Sequence, residues 1–302
     1  MGLLVVGSVA FDSVETPFGQ AEEVLGGSAT YFSTSASYFT DVSLVAVVGE
    51  DFPDKHMNFL KMRGIDTRGL ERAKGKTFRW QGRYGYDLNE AHTLKTELNV
   101  FQHFRPKLPD EYKDAEVVFL ANIDPDLQRD VLKQVKSPKV VAADTMNFWI
   151  ESKKESLLET LRSVDILIIN DSEARQLTGE PNLVKAARLI ESHGPRTVIV
   201  KRGEHGVLMF NGNSVFSAPA YPLEAVFDPT GAGDTFAGGF MGYLSNIRDF
   251  SEPGMRKAIV MGSVMASFNV EDFSLNRIRS LEFVEIEVRY REFKRLSHFE
   301  DI

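Results

Sequence analysis

The chain has 302 residues, of which 43% are hydrophobic, 26% are charged and none is cysteine. The missing thiol excludes a disulfide framework, a cysteine nucleophile and a cysteine-ligated metal centre. With 43 acidic against 35 basic residues, the net charge of −8 argues against a nucleic-acid partner, because such partners are bound through a basic surface.

The hydropathy of the chain also argues against a membrane partner. No apolar run approaches the ~20 residues that a membrane span requires. The first residues lack the basic region of a signal peptide and lead directly into an apolar run at Leu3–Val6. We therefore expect a soluble cytoplasmic protein.

Short apolar runs alternate with longer helical patterns along the chain. The runs are rich in β-branched residues, which is typical of strands buried on both faces of a parallel sheet. The alternation predicts a doubly wound α/β sheet. The predicted strands are 3–6, 44–48, 117–120, 140–142, 166–169 and 197–200. The predicted helices between them are 27–39, 53–63, 126–135, 152–162, 171–178 and 182–192.

Two segments interrupt this alternation. Residues 13–24 are polar, and residues 75–104 alternate apolar or aromatic side chains with polar ones, as strands exposed on one face do. We interpret both as a small β-structured element inserted into the core; a solvated surface hairpin is the alternative. Its aromatic residues fit either core packing or stacking on a nucleobase. They are Phe78, Trp80, Tyr84, Tyr86, Phe101 and Phe104.

The C-terminal third continues with a hairpin and three helices. Residues 206–217 predict a hairpin that turns at Asn211-Gly212. Helices are predicted at 235–245 and 254–268. The pattern of 281–296 fits a strand or a helix, and its length favours a helix.

The segment Asp228-Pro-Thr-Gly-Ala-Gly-Asp234 carries the clearest chemical signal. Gly231 and Gly233 allow backbone amides to approach a ligand closely. If a helix begins at 234–235, its free N–H groups and positive dipole end form an anion site for a phosphoryl group. Asp234 could then accept a proton from an attacking hydroxyl, whereas a tight turn with Asp234 as an N-cap is the structural alternative.

Four motifs together resemble the ribokinase-like, or phosphofructokinase-B type (PfkB), carbohydrate and nucleoside kinases. The Asp228–Asp234 segment, continued by Thr-Phe-Ala-Gly-Gly-Phe, is similar to the family's C-terminal signature. The other three motifs are Gly-Gly-Ser-Ala-Thr-Tyr at 26–31, Asn-Asp-Ser-Glu at 170–173 and Lys-Arg-Gly-Glu-His-Gly at 201–206. The resemblance implies a three-layer α/β/α core of residues 1–12, 25–74 and 105–302, with residues 13–24 and 75–104 as a β-sheet lid over the substrate.

The resemblance also implies catalytic roles. Asp234 would be the base that deprotonates the acceptor hydroxyl. The transferred phosphoryl group would be stabilised by the backbone amides of Gly231, Ala232 and Gly233.

On the nucleotide side, the resemblance implies that Asn170 and Glu173 orient Mg²⁺, through water, and the triphosphate of ATP. Gly203 and Gly206 would let the nucleotide lie against the backbone. Lys201 stands where relatives usually have Thr, and it could contact a phosphate instead.

On the acceptor side, Asp12 matches the acidic residue that binds sugar hydroxyls, alongside Gly26 and Gly27. Tyr31 stands where relatives often carry an Asn that touches the sugar, so it is a further candidate substrate-binding residue.

The resemblance suggests two further properties. Asp228 and Thr230 match positions that help many relatives hold a monovalent cation such as K⁺. Some relatives pair through their lids, so a homodimer through the lid is compatible with the sequence.

The expected function is an ATP-dependent kinase that phosphorylates a hydroxyl, namely a CH₂OH group, of a sugar. Phosphoryl transfer needs mainly positioning and charge stabilisation, which the motifs would supply. The alternative is a nucleoside kinase that phosphorylates the ribose 5′-hydroxyl. A more distant alternative is a non-catalytic nucleotide or sugar sensor.

Overall fold

The structure is a computed structural model that describes residues 2–298 and residue 300. Over these residues the chain forms one nine-stranded sheet, one four-stranded sheet and eleven helices. The strands are β1 Leu3–Val6, β2 Ala10–Thr16, β3 Gly19–Gly26, β4 Val42–Gly49, β5 Ile65–Ala73, β6 Phe78–Tyr84, β7 Ala91–Glu97, β8 Val117–Leu120, β9 Val140–Asp144, β10 Ile166–Asn170, β11 Thr197–Lys201, β12 Val207–Asn211 and β13 Ser214–Ala218. The helices are α1 Ser28–Ala36, α2 Asp54–Met62, α3 Pro125–Leu132, α4 Asn147–Ser152, α5 Lys154–Leu161, α6 Asp171–Thr178, α7 Leu183–Glu191, α8 Ala232–Ile247, α9 Glu252–Asn269, α10 Asn276–Arg279 and α11 Phe283–Leu296. Within the described ranges, no helix is both long and apolar enough to span a lipid bilayer.

The nine-stranded sheet has the order β13-β12-β11-β10-β9-β8-β1-β4-β5. Its strands from β11 to β5 are parallel, and β12 and β13 add an antiparallel hairpin at one edge. Because β4 and β8 pair with opposite sides of β1, the strand order reverses beside β1. In open α/β sheets a ligand crevice forms at the carboxyl ends of the strands at such a point.

Alternate residues of β1 face two different helical layers. Leu3 and Val5 lie in an apolar cluster with residues of α1, α2, α8 and α9. Leu4 and Val6 lie in a second cluster with residues of α3, and a third cluster joins α5, α6 and α7 to the same sheet. The prediction of a doubly wound α/β/α core is therefore confirmed.

The four-stranded sheet has the order β3-β2-β6-β7 and provides the predicted small β-structured element. Its strands β2 and β3 cover residues 10–26 and so extend beyond the predicted segment 13–24. Within the alternating segment 75–104, the last strand ends at Glu97, and residues 99–103 form a 3₁₀ turn. This turn places the Phe101 ring between Phe78 and Phe104, with ring centroids 5.3 and 5.7 Å away. The division of the chain between lid and core at the stated boundaries stays a prediction.

Two other elements differ from the predictions. Strand β5 was not predicted because its sequence, Ile-Asp-Thr-Arg-Gly-Leu-Glu-Arg-Ala, lacks an apolar run; it can be polar because it lies at the sheet edge. The helix predicted at 152–162 corresponds to α5, and a short helix that was not predicted, α4, precedes it at Asn147–Ser152. The hairpin at Asn211-Gly212 and the C-terminal helix are confirmed.

Helix α8 packs with its backbone close to α1, which explains the glycines in its interior. A Cβ atom added to Gly238 would lie 2.3 Å from the carbonyl oxygen of Phe32, and one added to Gly242 would lie 2.8 Å from Cα of Ala36. Both obstacles belong to the backbone of α1, so neither can rotate away. The two helices can approach this closely only with glycine at these positions.

We expect Gly238→Ala to destabilise the fold by roughly 1–3 kcal/mol, because overpacking against α1 outweighs the ~1 kcal/mol gain in helix propensity. Denaturant unfolding of the variant measures this difference. Gly85→Ala is the control, since a Cβ there meets open space, and its stability should stay within about 0.5 kcal/mol of the wild type. A Gly238→Ala protein as stable as the wild type would contradict the packing argument.

Candidate active site

Three neighbouring strands bring polar side chains to one edge of the large sheet. Strand β9 ends at Asp144, β10 ends at Asn170 and β11 ends at Lys201. Because these strands are parallel, their last residues share the carboxyl edge, and Asn170 pairs in register with Lys201. Three consecutive strand ends thus contribute to one site.

Helix α8 begins beside these strand ends. Its N-cap, Gly231, has a φ of 74°, the left-handed conformation that glycine adopts without a steric cost. A Cβ on Gly231 would also lie 2.5 Å from the ring of Tyr31. The amide of Ala232 donates to the carbonyl of Pro229 at 3.1 Å, whereas the amides of Gly231 and Gly233 have no acceptor among the described residues. These two amides are therefore available to an anion.

Lys201 lies among three carboxylates in front of α8. A Cβ added to Gly233 would lie 2.7 Å from Lys201 Nζ, so the ammonium group covers the first turn of the helix. Its Nζ lies 3.5 Å from Oδ2 of Asp144. The charges of Glu173 and Asp234 also act on Lys201. One cation thus faces three acidic groups.

The pKa values in this cluster are shifted by burial and by mutual repulsion. Burial and the charge of Asp144 raise the pKa of Asp234 to about 7, although Lys201 opposes this rise. Burial and Asp144 likewise raise the pKa of Glu173 to about 7. Burial raises the pKa of Asp144 itself. For Lys201, burial favours the neutral amine, but the three carboxylates outweigh it and raise the pKa.

Asn170 and Glu173 form a reciprocal cap at the start of α6. The backbone N–H of Glu173 donates to Asn170 Oδ1 at 2.7 Å, and the backbone N–H of Asn170 donates to Glu173 Oε2 at 3.0 Å. This capping box satisfies two otherwise free donors of the helix end. It also fixes the orientation of the Glu173 carboxylate at the sheet edge.

The predicted acceptor-side residues come together next to the start of α8. Asp12 is buried, and its carboxylate packs on Gly26, where a Cβ would lie 1.9 Å from Oδ2. Burial raises the pKa of Asp12 to about 7, although a hydrogen bond from the backbone of Gly27 lowers it. The Tyr31 hydroxyl is also buried, and it has no hydrogen-bond partner within the described part of the chain. Since the Tyr31 ring lies on Gly231, the acceptor-side residues adjoin the candidate anion site.

The four-stranded sheet contacts the site at two points. The hydroxyl of Thr230 donates to the hydroxyl oxygen of Tyr84 at 3.3 Å. At the tip of the β6–β7 hairpin, Asn89 Oδ1 would lie only 1.7 Å from a Cβ added to Gly203. The smaller sheet therefore lies over both the phosphate-site segment and the predicted nucleotide loop.

The predicted nucleotide loop turns sharply after β11. Gly203 begins a 3₁₀ turn, and the amide of Arg202 donates to the carbonyl of Gly206 at 2.8 Å. A Cβ on Gly206 would lie 2.2 Å from the carbonyl oxygen of Ala218, so Gly206 is also needed where the loop approaches β13.

Asp228 holds the segment that precedes α8 in place through two hydrogen bonds. Its Oδ1 accepts from the amide of Thr230 at 2.9 Å, and its Oδ2 accepts from the amide of Ser274 at 3.0 Å. Asn269 also stabilises this segment, because its Nδ2 donates a hydrogen bond to the carbonyl of Thr230 at 2.9 Å. These bonds hold the loop in one conformation.

Among the sequence-predicted residues, Asn170, Lys201 and the loop of Gly203 and Gly206 lie at the carboxyl edge of the large sheet, whereas Asp12 and Gly26 lie on the smaller sheet. The structure adds Asp144 to the edge, which sequence reasoning missed. The signal was present, because Asp144 follows the buried run Val-Val-Ala-Ala just as Asn170 and Lys201 follow theirs. An acidic residue at the end of a parallel strand lies where doubly wound folds bind ligands.

The site fits a Mg²⁺ ion held through water rather than by a cage of protein ligands. Across residues 2–298 and 300, no three or more His, Asp or Glu side chains converge closely enough to bind a metal directly. Asp144, Glu173 and Asp234 nevertheless leave the cluster with excess negative charge beside a single lysine. Mg²⁺ usually keeps several waters and binds through one or two carboxylates and substrate phosphates, which suits this donor set.

Comparison with known proteins identifies relatives of the whole chain. The family model described as "pfkB family carbohydrate kinase" matches residues 4–279. A cytidine kinase of Thermococcus kodakarensis is 33% identical over 258 residues, which cover 83% of this chain and 91% of the relative.

Solved structures share the fold at lower identity. The nucleoside kinase of Methanocaldococcus jannaschii superimposes with a TM-score of 0.76 at 19% identity and covers 97% of this chain and 99% of its own. A structure described as E. coli ribokinase II, solved with ATP and Mg²⁺, has a TM-score of 0.77 at 18% identity and covers 96% of this chain and 99% of its own. With the family match over nearly its whole length, the chain belongs to the pfkB family of carbohydrate kinases and is a kinase that transfers phosphate to a hydroxyl acceptor.

Proposed function

We propose that this kinase transfers the γ-phosphoryl group of ATP to the primary hydroxyl of a nucleoside. The observation that carries the proposal is the approach of two groups of residues at the start of α8. Lys201, with Asp144 and Glu173, lies at the strand ends next to Gly233, whereas Asp12 lies on β2 and the Tyr31 ring of α1 lies against Gly231. The charge of Asp234 acts on both Lys201 and Asp12. A donor and an acceptor bound on the two sides would meet at this helix end.

Asp234 is the proposed general base. Its carboxylate would accept the proton of the acceptor hydroxyl while that oxygen forms a bond to the γ-phosphorus. The bond from the γ-phosphorus to the β–γ bridging oxygen breaks, and ADP leaves with the electron pair. The free amides of Gly231 and Gly233 would donate to the phosphoryl oxygens during transfer, as an oxyanion hole does. The amide of Ala232 is used by Pro229, so its predicted contribution would need a local rearrangement.

Lys201 is proposed to bind the transferred phosphoryl group directly. Its ammonium lies next to Gly233 in the first turn of α8. An ammonium group is a compact charge that suits phosphate oxygens. Gly203 and Gly206 would hold the nucleotide against the backbone of the loop that follows Lys201.

Glu173 and Asp144 are proposed to hold Mg²⁺ through water, with Asn170 fixing the orientation of Glu173. When bound, Mg²⁺ would neutralise charge on the β- and γ-phosphates. Its charge would also lower the pKa of the nearby carboxyl groups. The E. coli structure solved with ATP and Mg²⁺ supports this choice of donor and metal by likeness of fold.

A nucleoside is the favoured acceptor because the 33%-identical relative is named a cytidine kinase. Tyr31 stands in place of the more usual Asn, and its aromatic ring lies against Gly231 at the start of α8. Asp12, Gly26 and Gly27 would bind the ribose hydroxyls. A free sugar is the second candidate, since the family model describes carbohydrate kinases.

The acceptor class is tested by measuring ADP release with Mg²⁺ and ATP against a panel of nucleosides and a panel of free sugars. Turnover on nucleosides supports the proposal. Turnover on free sugars and on no nucleoside would contradict it, and ATP binding without any phosphoryl transfer would favour the non-catalytic sensor.

Four further properties belong to the proposal. Asp228 and Thr230 are kept as the candidate K⁺ site. Measurement of turnover with and without K⁺ tests this site.

A homodimer through the smaller sheet is supported by strand β7, whose residues 91–96 are exposed along a sheet edge. Light scattering at several concentrations tests it. A cytoplasmic location and the lack of a nucleic-acid partner stay predictions.

We expect Asp234→Asn to lower kcat by about 10²–10⁴-fold, because the amide cannot accept the hydroxyl proton. ATP binding, measured by calorimetry, should remain because the nucleotide-side residues are unchanged. Asp41→Asn, at an exposed aspartate away from the site, is the control and should keep wild-type turnover. If Asp234→Asn kept a kcat near that of the wild type, the role of Asp234 as the general base would be contradicted.

We expect kcat/KM to rise with pH through the pKa of Asp234, about 7 in the absence of ligands, because only the carboxylate can act as a base. Lys201 lowers this pKa, so Lys201→Met should move the rising limb to higher pH as well as lower the rate. The measurement is a pH–rate profile on both sides of neutrality. Lys185→Met, at an exposed lysine of α7, should leave the limb in place. An unchanged limb in Lys201→Met would show that Lys201 does not act on the titrating group.

The capping and nucleotide roles of Asn170 can be separated with two variants. Asn170→Ala removes the acceptor for the Glu173 amide and should cost about 1 kcal/mol of stability. Asn170→Ser keeps a capping oxygen and should retain stability, but it should raise the KM for Mg·ATP because the serine is shorter. If the serine variant matches the wild type in both unfolding and kinetics, Asn170 acts only as a cap.

A further inference from the structure

Asn269, the last residue of α9, is fully buried beside the start of α8. Its Nδ2 donates to the backbone carbonyl of Thr230 at 2.9 Å, and its Oδ1 accepts from the hydroxyl of Thr235 at 3.0 Å. Because a carbonyl can only accept, the amide nitrogen of Asn269 must face Thr230 and the amide oxygen must face Thr235. One side chain therefore bonds both ends of the turn 230–235, which contains the candidate anion site.

The bond to Thr230 fixes the direction of one amide of that site. The carbonyl of Thr230 and the N–H of Gly231 belong to a single peptide group, which is planar. This peptide is trans, as are all peptide bonds in the described part of the chain, so the carbonyl and the N–H point in opposite directions. A donor that holds the Thr230 carbonyl towards α9 therefore directs the Gly231 N–H away from α9.

The peptide group before Gly231 depends on this bond more than its neighbour does. Glycine leaves the peptide groups on its two sides freer to rotate than any other residue does. The following group is held through the Gly231 carbonyl, which accepts from the amide of Thr235 at 2.8 Å. In the preceding group the N–H has no acceptor among the described residues, and its carbonyl is bound by Asn269.

Helix α9 packs tightly on α8, so Asn269 has little freedom to shift. A Cβ added to Gly262 of α9 would lie 2.7 Å from the carbonyl oxygen of Phe236 in α8. The amide of Phe227 donates to the carbonyl of Val270 at 2.8 Å, which joins the end of α9 to the segment before α8. The side chain of Asn269 is thus presented to the turn from a fixed position.

We propose that Asn269 is a positioning residue for phosphoryl transfer, which aims the Gly231 amide at the transferred group. It acts through the peptide group of Thr230 and Gly231 and contacts neither donor nor acceptor. A hydrogen-bond donor stabilises a transition state only when it is held where charge develops. The inference rests on the proposed role of the amides of 231–233, but it holds for a nucleoside or a sugar acceptor.

The first test replaces the donor at nearly constant shape. In Asn269→Asp a carboxylate oxygen faces and repels the Thr230 carbonyl, whereas the acceptor for the Thr235 hydroxyl is kept. We expect kcat to fall by about 10–10²-fold, which is less than the loss of an entire oxyanion donor costs, and KM for Mg·ATP to be unchanged. A wild-type kcat in Asn269→Asp would overturn the proposal.

Gln134→Glu is the matched control, because the Gln134 amide also joins a backbone carbonyl to a backbone donor. Its Nε2 donates to the carbonyl of Pro106 at 2.9 Å, and its Oε1 accepts from the amide of Leu108 at 3.0 Å. These bonds lie between the end of α3 and the chain before β8, so Gln134→Glu should keep the wild-type kcat. A loss of kcat equal to that of Asn269→Asp would overturn the proposal, since reduced stability alone would then explain both.

A second variant serves if the buried carboxylate prevents folding. In the double variant Asn269→Leu/Thr235→Val both side chains become apolar at similar volume, which costs less stability than leaving one polar partner unpaired. No side-chain donor then reaches the Thr230 carbonyl, so kcat should stay about 10-fold or more below that of the wild type. A wild-type kcat in this variant would overturn the proposal.

Binding of a phosphoryl mimic separates positioning from a general loss of structure. Aluminium fluoride, added with ADP, Mg²⁺ and the acceptor, mimics the phosphoryl group during transfer, and calorimetry measures its contribution to binding. In Asn269→Asp this contribution should weaken by about the factor by which kcat falls, while the Kd for ADP alone is unchanged. Equal weakening of both, or of neither, would overturn the role of Asn269. A wild-type protein whose ADP binding is not strengthened by aluminium fluoride would instead contradict the proposed anion site itself.

Discussion

The backbone contact between α1 and α8 is the constraint on which the geometry of the site depends. Gly238 and Gly242 let the two helices approach until carbonyl and Cα atoms set the distance. Helix α1 carries Tyr31 and α8 begins at Gly231, so one contact fixes the proposed acceptor side relative to the amides of 231–233. Interiors packed at this density transmit small displacements rather than absorb them. A wider spacing between α1 and α8 would therefore move Tyr31 away from the amides at the start of α8.

Electrostatics supplies the second constraint. The parallel strands end in Asp144, Asn170 and Lys201, and the helix dipole of α8 faces the same space. Burial raises the pKa of Glu173 and of Asp234 to about 7, because the charged carboxylates are poorly solvated and are repelled by Asp144. The overall charge of −8 does not oppose nucleotide binding, since amides, a lysine and a bound cation create a local positive site.

Much of the fold and of the site follows from local sequence. Buried parallel strands are continuous apolar runs, so six of them could be predicted, and the glycines of 231–233 mark a backbone that approaches a ligand. Strand β5 could not be predicted because an edge strand tolerates charged residues. Asp144 was missed for another reason. It follows a buried run as Asn170 and Lys201 do, but its importance arises from Lys201, Glu173 and Asp234, which are distant in the chain.

The contact between Asn89 and Gly203 bears on the hydrolysis of ATP by water. The tip of the smaller sheet rests on the loop at the nucleotide side, while Tyr84 meets Thr230 beside the phosphate segment. In this arrangement the smaller sheet contacts both the predicted nucleotide loop and the segment that precedes α8. Water is the competing nucleophile for any kinase, and a closed cover excludes it from the reacting phosphorus. If the site works as proposed, a sheet in this position would also limit hydrolysis of ATP by water.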